Sequence, residues 1–316
     1  MASRGAVITL GTFDGVHRGH QAVLAEVGRR ARAGELASVL VTFDPHPLEV
    51  VNPAAAPKLL TLTDEKRELV AAHGIEQFVV LPFTPAVAQL DAAAFVRRLC
   101  DEYAMRELVM GFDHGFGRGR GGDVELVRRL GEAQQFGVSV VDAVRENGQP
   151  ISSTLIRTAV AHGDLDAAAR WLGRSYSLRG RVVRGAGRGR TIGVPTANLE
   201  TPDARKLLPP DGVYAVRVRI LDLGVGISGQ KPQIPTPRSK TLEFGGMMNQ
   251  GPRPTFGEQA RALEIHLFDF EGELYGETVV VEWVRRLREV QAFPSREALV
   301  AQLERDRQAA RATLNR

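Results

Sequence analysis

The first half of the chain alternates short, continuously apolar runs with longer runs in which apolar residues recur at helical spacing. The short runs predict buried strands at 6–10, 37–43, 78–81, 107–111 and 138–143, and the longer runs predict helices at 21–33, 64–73, 91–105 and 124–136. Thr63 is the predicted N-cap of the second helix, and Gly74 is its predicted stop. The alternation predicts an α/β fold with helices on both faces of a parallel sheet, in which ligands bind beyond the carboxyl ends of the strands.

The pattern changes in the second half of the chain. A helical run over 151–172 ends at Gly173, and strands are then predicted at 176–183, 212–221, 247–249, 262–270 and 277–286, between turns rich in Gly and Pro. This pattern predicts a small antiparallel barrel or sandwich, followed by a helix at 295–314 with Ser295 as its N-cap. We therefore predict two domains, 1–174 and 175–316, and a surface loop at 224–242.

Composition narrows the class of protein. With 43% hydrophobic and 25% charged residues, the chain is ordinary for a globular protein. The net charge of +4 (41 basic less 37 acidic residues) fits small anionic ligands, and without a dense basic arm we expect no nucleic-acid partner. Cys100, the single cysteine, excludes an intrachain disulfide and is predicted to fill the core. We find neither a secretion signal nor a membrane-length apolar run, so we expect a cytoplasmic protein with no membrane partner, and leave a homo-oligomer open.

The first candidate site is the stretch 7–20, where a strand, a glycine-rich turn and a helix follow one another. His17 and His20 reach the start of the helix, whose free N–H groups and partial positive charge suit a polyphosphate. Two alternatives stay open. The pair could ligate a metal, although zinc normally requires a third protein ligand, or it could be structural.

Further candidates lie downstream. In the stretch 151–157 (ISSTLIR), hydroxyl groups at a helix start can cap the helix or bind phosphate oxygens, and Arg157 follows about one turn later. A glycine- and arginine-rich turn precedes 195–198 (PTAN), where Thr196 and Asn198 face the same side of an extended segment. Their neutral oxygens suit Mg²⁺ bound to ATP, and the alternative is a basic surface loop. Glu264 lies on one face of the alternating run 263–270.

These motifs together carry a family resemblance. The stretch 11–20 (GTFDGVHRGH) resembles the HxGH signature of the nucleotidylyltransferase superfamily. With the later motifs, nearly the whole chain resembles the prokaryotic bifunctional riboflavin kinase/FAD synthetase family. The resemblance implies a Rossmann-like nucleotidylyltransferase domain that converts FMN and ATP to FAD and pyrophosphate. It also implies a C-terminal β-barrel with a final helix that converts riboflavin and ATP to FMN and ADP, with Mg²⁺ as cofactor.

The resemblance also implies roles for residues of the first domain. His17, His20 and Arg157 would act on the phosphates as catalytic residues. The residues that would bind ATP are Gly11, Thr12, Phe13, Asp14, Gly19, Ser153 and Thr154. His46 and Asp113 would contact FMN, although His114 and Gly115 replace the Phe-Arg pair that is frequent in the family.

In the second domain, the resemblance implies that Glu264 is the catalytic base and that Thr196 and Asn198 hold Mg²⁺. The residues that would contact ATP or flavin there are Gly185, Gly193, Pro195 and Arg288. Two other functions stay open: an adenylyltransferase whose barrel has lost kinase activity, and a regulatory protein that binds flavin without turnover.

Overall fold

The computed structural model describes residues 4–112, 115–117, 121–185, 194–200, 203–221, 242–253 and 258–315. Two compact units divide the chain: residues 1–157 with 171–173, and residues 158–170 with 174–316. The predicted domain border between 174 and 175 stays a prediction. Most of the predicted loop at 224–242 lies outside the described residues, and Leu242 at its end begins a strand.

The first unit alternates strands and helices. Its elements are β1 (Ala6–Leu10), α1 (Arg18–Ala33), β2 (Ala37–Asp44), α2 (Pro47–Val51), α3 (Thr63–Ala72), β3 (Gln77–Pro82), α4 (Pro85–Ala88), α5 (Ala92–Tyr103), β4 (Met105–Gly111), α6 (Val124–Gln134), β5 (Gly137–Val141), β6 (Arg145–Glu146) and β7 (Gln149–Pro150). The last two strands form a small antiparallel hairpin.

The first five strands form one parallel sheet in the order β3-β2-β1-β4-β5. Side chains of β1 alternate between its two faces. Ile8 packs with residues of α5 and α6, whereas Val7 packs with residues of α1 and α3. The predicted α/β fold is confirmed. Strand order reverses between β1 and β4, so the crevice for a ligand in such a sheet lies at their carboxyl ends.

The second half of the chain continues with α7 (Ser153–His162) and α8 (Leu165–Leu172). The sequence predicted one helical run here, but Gly163 has a φ of +78° and ends the first helix. The strands that follow are β8 (Tyr176–Val183), β9 (Ala197–Leu199), β10 (Gly212–Leu221), β11 (Leu242–Arg253), β12 (Glu258–Leu267) and β13 (Thr278–Arg288). They form a closed barrel in the order β10-β11-β12-β9-β8-β13, which confirms the predicted barrel.

The final helix, α9 (Arg296–Leu314), packs on the barrel. Ala310 of α9 is buried with Ala215, Met247 and Phe268 of the barrel. Ser295 caps the helix as predicted, since its side chain accepts from Ala298 N. At α3, however, the predicted N-cap is wrong. Leu62 holds the cap position, and Thr63 is the first helical residue because its hydroxyl donates instead to Asp44 Oδ2 at 2.8 Å.

Candidate active sites

A cavity of about 840 Å³ opens in the first unit at the carboxyl ends of β1 and β4. Residues at the starts of α1 and α7 line it, so two helix N-termini reach one space. The first turns of α1 and α7, both fully described, carry no acidic side chain. The unpaired N–H groups and partial positive charge of such ends bind anions. The geometry therefore favours a polyphosphate at this end of the cavity.

The predicted phosphate residues divide between the cavity and the protein interior. Those that line the cavity are Gly11, Thr12, Phe13, His17, Gly19, His20, Ser153 and Thr154. Two of the predicted residues that the structure describes, Asp14 and Arg157, do not line the cavity. The sequence motif therefore supplies both the surface of the site and the support behind it.

The turn after β1 holds two bulky residues in an unusual backbone conformation. Phe13 and Val16 have φ values of 46° and 40°, in the left-handed region that L-residues rarely adopt. Such conformations persist where surrounding contacts fix them, and they cluster at binding sites. Here Gly15 N donates to Thr61 Oγ1 at 2.9 Å, and Gln21 Nε2 donates to Val16 O at 2.9 Å. These contacts hold the turn in one shape.

Asp14 organises this turn from behind. Its side chain is 1% exposed and accepts from Leu60 N at 3.0 Å, Thr61 N at 2.9 Å and Arg157 Nη2 at 2.7 Å. The prediction that Asp14 binds ATP therefore needs correction for its side chain, because the carboxylate is fully engaged inside the protein. The sequence did not show which way this side chain points.

Arg157 has two contacts that the sequence did not predict. Besides the Asp14 carboxylate, its Nε donates to Lys58 O at 2.9 Å. Its side chain is 18% exposed. The predicted contact between Arg157 and ATP phosphates stays a prediction, and the structure adds a second role in holding the glycine-rich turn.

Lys66 is a site residue that sequence reasoning missed. Its ammonium group is buried, and it donates to Thr12 O at 2.6 Å and to Thr42 Oγ1 at 3.4 Å. Burial lowers its pKa, and the nearby charges of Asp14 and Asp44 oppose that shift. The sequence offered no signal for it, because a lysine on an amphipathic helix ordinarily lies at the surface.

The two motif histidines stack on each other. Their ring centroids lie 3.6 Å apart at an interplanar angle of 18°, and the Phe13 ring lies 4.7 Å from that of His20. His17 is also the N-cap of α1, since its Nδ1 accepts from His20 N at 3.3 Å. In the described part of the chain, no three His, Cys, Asp or Glu side chains are grouped to hold a metal ion.

Glycine at position 19 is a steric requirement of this stack. A Cβ added there would lie 3.1 Å from Cε1 and 3.2 Å from Nδ1 of His17, closer than ordinary van der Waals contact. The spacing His-x-Gly-His therefore has a physical reason, because any side chain at position 19 would press on the first imidazole.

At the start of α7, the hydroxyl groups have different tasks. Ser152 Oγ accepts from Leu155 N at 3.3 Å and caps the helix. Ser153 Oγ donates to Asp14 O at 2.9 Å, so it ties α7 to the glycine-rich turn. Thr154 is exposed and lines the cavity. Residues of both motifs therefore line one cavity.

Part of the cavity lining is apolar. Phe43, Phe83 and Val87 form it, together with the exposed side chains of Val51 and Phe112. A flat aromatic ring system fits such a surface. Asp113, one of the two predicted FMN contacts, lies outside the described residues.

His46, the other predicted FMN contact, lines the cavity and begins α2. Its Nδ1 accepts from Leu48 N at 3.2 Å, so in the neutral ring the proton is on Nε2. Burial lowers the pKa of His46, and the charge of Asp14 opposes that shift while Arg157 and Lys66 add to it. The imidazole is therefore a neutral hydrogen-bond donor at pH 7.

The second candidate site lies on the barrel of the second unit. Asn198 of β9 is paired in register with Glu264 of β12 on one side and with Val183 of β8 on the other. Directly opposite residues of an antiparallel pair present their side chains on the same face, about 5 Å apart. A predicted metal ligand and the predicted base are therefore neighbours.

Residues around Asn198 fit the same arrangement. A Cβ at Gly185 would overlap the Asn198 carboxamide, so the backbone of the preceding turn can approach only as glycine. Pro195 and Thr196 line a small cavity of about 90 Å³ together with Tyr275. Gly193 lies outside the described residues.

His266 lies two residues after Glu264 on β12. Its Nδ1 lies 2.8 Å from Pro195 O. Burial lowers its pKa, whereas the bond to Pro195 raises it, and Arg307 and Arg311 lower it further. The alternation in the sequence placed His266 on the face of Glu264 but gave no partner for it.

Arg288 has a partner that the sequence did not indicate. Its Nε lies 3.0 Å from both carboxylate oxygens of Asp306 on α9, and its Nη2 lies 2.7 Å from Oδ2. Gln302 Nε2 also donates to Asp306 at 2.8 Å. Within the described residues, Arg288 does not line the barrel cavity. It anchors the final helix, and its predicted contact with ATP or flavin stays a prediction.

Comparison with known proteins gives a separate match for each half of the chain. A family model described as FAD synthetase matches residues 1–155, and one described as riboflavin kinase matches residues 172–314. A bifunctional riboflavin kinase/FMN adenylyltransferase of Pseudomonas fluorescens is 38% identical over 98% of this chain and 93% of its own length. The protein of the same description from Escherichia coli K12 is 37% identical over 97% of this chain and 92% of its own length.

A solved structure shares the fold over nearly the whole chain. It is titled a macrolide-efflux protein from Streptococcus pneumoniae, is 32% identical and has a TM-score of 0.82, with coverage of 98% of this chain and 95% of that one. That title names macrolide efflux, whereas the relatives above are named riboflavin kinase/FMN adenylyltransferases. In the described residues of the present chain, no helix is long and apolar enough to cross a membrane.

Proposed function

The chain belongs to the family of bifunctional riboflavin kinase/FMN adenylyltransferases, and from that premise we propose which of its residues carry each reaction. The enzyme phosphorylates riboflavin with ATP to give FMN, and it adenylylates FMN with a second ATP to give FAD and pyrophosphate. We assign the second reaction to domain 1–174 and the first to domain 175–316.

In the first unit, we assign the triphosphate of ATP to the starts of α1 and α7. A phosphate oxygen of FMN attacks the α-phosphorus of ATP, and the bond from that phosphorus to the pyrophosphate breaks. The protein forms no covalent bond, so its contribution is orientation and charge stabilisation. His17 and His20 donate to α- and β-phosphate oxygens, where negative charge develops. Thr12, Ser153, Thr154 and the N–H groups of the turn orient the phosphates.

Arg157 and Lys66 contribute positive charge behind the same turn. The guanidinium of Arg157 lies 2.7 Å from the buried Asp14 carboxylate, which holds it behind the glycine-rich turn. The ammonium group of Lys66 donates to the carbonyl of Thr12, a residue that lines the cavity. Its positive charge is therefore separated from the cavity by the backbone of Thr12. Charges inside a protein act more strongly on a bound anion than charges in water do.

We assign FMN to the apolar part of the cavity lining. The isoalloxazine ring fits the apolar surface of Phe43, Phe83 and Phe112, and its phosphate reaches toward the α-phosphorus. His46 also lines the cavity, and because its Nδ1 accepts from Leu48 N, its Nε2 carries the proton. We propose that this N–H donates to the FMN phosphate.

In the second unit, we propose Glu264 as the general base. Its carboxylate takes the proton from the 5′-hydroxyl of riboflavin as that oxygen attacks the γ-phosphorus of ATP and ADP leaves. Thr196 and Asn198 offer oxygen atoms on one face beside Glu264, and such hard, neutral oxygens fit Mg²⁺ that arrives with ATP. When bound, Mg²⁺ neutralises charge on the phosphates. We propose that Gly185 and Pro195 contact the nucleotide, and the predicted contact of Gly193, outside the described residues, stays a prediction.

The partners that follow are small molecules: ATP, riboflavin and FMN. Both reactions consume ATP, so we place the enzyme in the cytoplasm, and the sites described need neither a nucleic acid nor a membrane. A homo-oligomer remains compatible with two sites that each lie within one unit.

The observation that carries this proposal is the register of Glu264 against Asn198, because it brings a base and a magnesium ligand together without adjustment. Incubation of the purified protein with riboflavin, ATP and Mg²⁺, followed by chromatography of the flavins, tests it. FMN should appear first and FAD afterwards. Flavin binding without consumption of ATP would support the regulatory alternative, and FAD formed only from supplied FMN would support the single-activity alternative.

A further inference from the structure

His266 makes a contact that the two reactions described above do not use. Its Nδ1 lies 2.8 Å from the carbonyl oxygen of Pro195. A carbonyl oxygen can only accept, so Nδ1 carries the hydrogen and donates it. The bond joins β12 to the residue immediately before Thr196.

The short strand β9, which carries Asn198 and follows Thr196, has few backbone hydrogen bonds of its own to hold its start. β9 has three residues, and its ladder with β12 joins Ala197 to Ile265 and Asn198 to Glu264. Pro195 has no N–H group and is exposed, so the ladder cannot continue through its nitrogen. The imidazole of His266 supplies a donor to this strand end in place of the next backbone bond.

The register explains why a residue at position 266 can do this. Extending the antiparallel pairing by one residue beyond Ile265 and Ala197 sets His266 opposite Thr196. Because alternate residues of a strand share a face, His266 lies on the same face as Glu264. The ring of Phe268 meets the imidazole edge to face at 5.7 Å, which restrains its orientation.

We propose that His266 is a positioning residue of the riboflavin kinase reaction. By holding the Pro195 carbonyl, it keeps the Thr196 hydroxyl aligned with the Asn198 carboxamide, so that both reach one magnesium ion beside Glu264. His266 itself touches neither substrate nor metal. This inference rests on the proposed assignment of Thr196 and Asn198 as magnesium ligands.

Two near-isosteric variants separate a hydrogen-bonding role from a packing role. In His266→Asn, the side-chain amide nitrogen takes the place of the imidazole Nδ1, whereas in His266→Gln it takes the place of Nε2. His266→Gln should raise the KM for ATP at limiting Mg²⁺ about fivefold, the usual net worth of one hydrogen bond, and His266→Asn should stay within about twofold of wild type. The kcat at saturating MgATP should change less than the KM in both.

Two controls accompany these variants. FAD formation from supplied FMN should be unchanged in each, because it depends on the other unit. His162→Gln is the matched substitution, since the Nδ1 of His162 also contacts a backbone carbonyl, that of Thr158 at 2.8 Å, but away from the proposed site. Its kinase activity should equal that of wild type.

A readout without turnover completes the test. In the protein without nucleotide, amide hydrogens of the peptide 194–200 should exchange faster in His266→Gln than in wild type, and His266→Asn should restore the slower exchange. Equal behaviour of the Asn and Gln variants, in KM or in exchange, would overturn the positioning role. Thr196→Val tests the underlying assignment separately. If kinase activity survives Thr196→Val, the magnesium assignment fails, whereas a normal His266→Gln beside an impaired Thr196→Val rejects only this inference.

Discussion

His17 and His20 stack ring on ring, with centroids 3.6 Å apart and an interplanar angle of 18°. His17 caps the helix that carries His20, so the first imidazole positions the backbone of the second. Both side chains line the cavity where two helix N-termini meet. The stack fixes the direction of the two rings, and in the proposed assignment this preorganises their nitrogens toward the ATP phosphates.

Gly19→Ala should disturb that stack. The added Cβ would lie 3.1 Å from the His17 ring, so the imidazole has to move. FAD formation from supplied FMN should fall by up to about 10-fold, because the ring has to shift by a few tenths of an ångström, which is less than the 1 Å that typically costs about 100-fold. FMN formation from riboflavin should be unchanged. Both are measured by chromatography of the flavins.

Gly28→Ala is the matched control within the same helix. Its Cβ would meet only the end of the flexible Arg32 side chain, at 3.3 Å. Both activities should persist, and the free energy of unfolding should rise by about 1 kcal/mol from the better helix propensity of alanine. Equal loss of activity in the two variants would contradict the steric explanation.

Glu264→Gln should reduce FMN formation by about two to four decades, the usual contribution of a positioned base. Supplied FMN should still be converted to FAD, because that reaction uses the other unit. Glu243→Gln, an exposed carboxylate on the barrel strand β11, should leave both rates unchanged. A normal kinase rate in Glu264→Gln would show that another group takes the proton.

His46 should make the stability of the enzyme depend on pH. Its pKa is lowered in the folded state, mainly by burial. Between that pKa and about 6.5, the unfolded chain holds a proton that the folded chain lacks, so the free energy of unfolding rises with pH. The contribution is complete above about pH 6.5 and is lost as the pH falls toward the folded pKa.

His46→Asn isolates this effect, since asparagine can still accept from Leu48 N at the helix cap but does not titrate. Denaturant unfolding at several pH values between 5 and 7.5 should give a flatter profile for the variant than for wild type. Identical profiles, or a His46 resonance that titrates at or above 6.5 by NMR, would refute the assignment.

The pair Arg288–Asp306 should stabilise the final helix on the barrel. Asp306 is 3% exposed, so removing its partner leaves a buried charge. Asp306→Asn and Arg288→Met should each lower the free energy of unfolding by about 3–5 kcal/mol, measured with denaturant. Full stability in either variant would show that the pair does not anchor the helix.

The same residues test the remaining sequence prediction for Arg288. If Arg288 also contacts ATP or flavin, Arg288→Lys should raise a substrate KM of the kinase, while Asp306→Asn should not. Equal KM values in both variants would leave Arg288 with its structural role alone.

Regular elements could be predicted from the sequence where the pattern was long. The bounds of β1, β8 and β10 match the predicted ranges, because these strands carry unbroken apolar or alternating patterns. The short strand β9 and the helices α2 and α4 have too few residues for a period to appear. Proline and local caps from His46 and Thr84 begin the two helices, whereas the pairing partners of β9 lie elsewhere in the chain.

The sites were predictable as motifs but not as contacts. The sequence placed His17, His20 and Glu264 on suitable elements. It did not show that the Asp14 carboxylate points inward, because side-chain direction in that turn depends on the positive φ values of Phe13 and Val16. It also did not reveal Lys66, whose role depends on a bond to a carbonyl 54 residues away.

The central claim is that two independent active sites lie in different units of one chain. The most direct test mixes two variants that each lack one activity, His20→Ala and Glu264→Gln, with riboflavin, ATP and Mg²⁺. The first variant alone should stop at FMN, and the second alone should leave riboflavin unchanged. Their mixture should produce FAD, because FMN released by one protein is adenylylated by the other. A mixture that forms no FAD, or a single variant that loses both activities while still folded, would contradict the account.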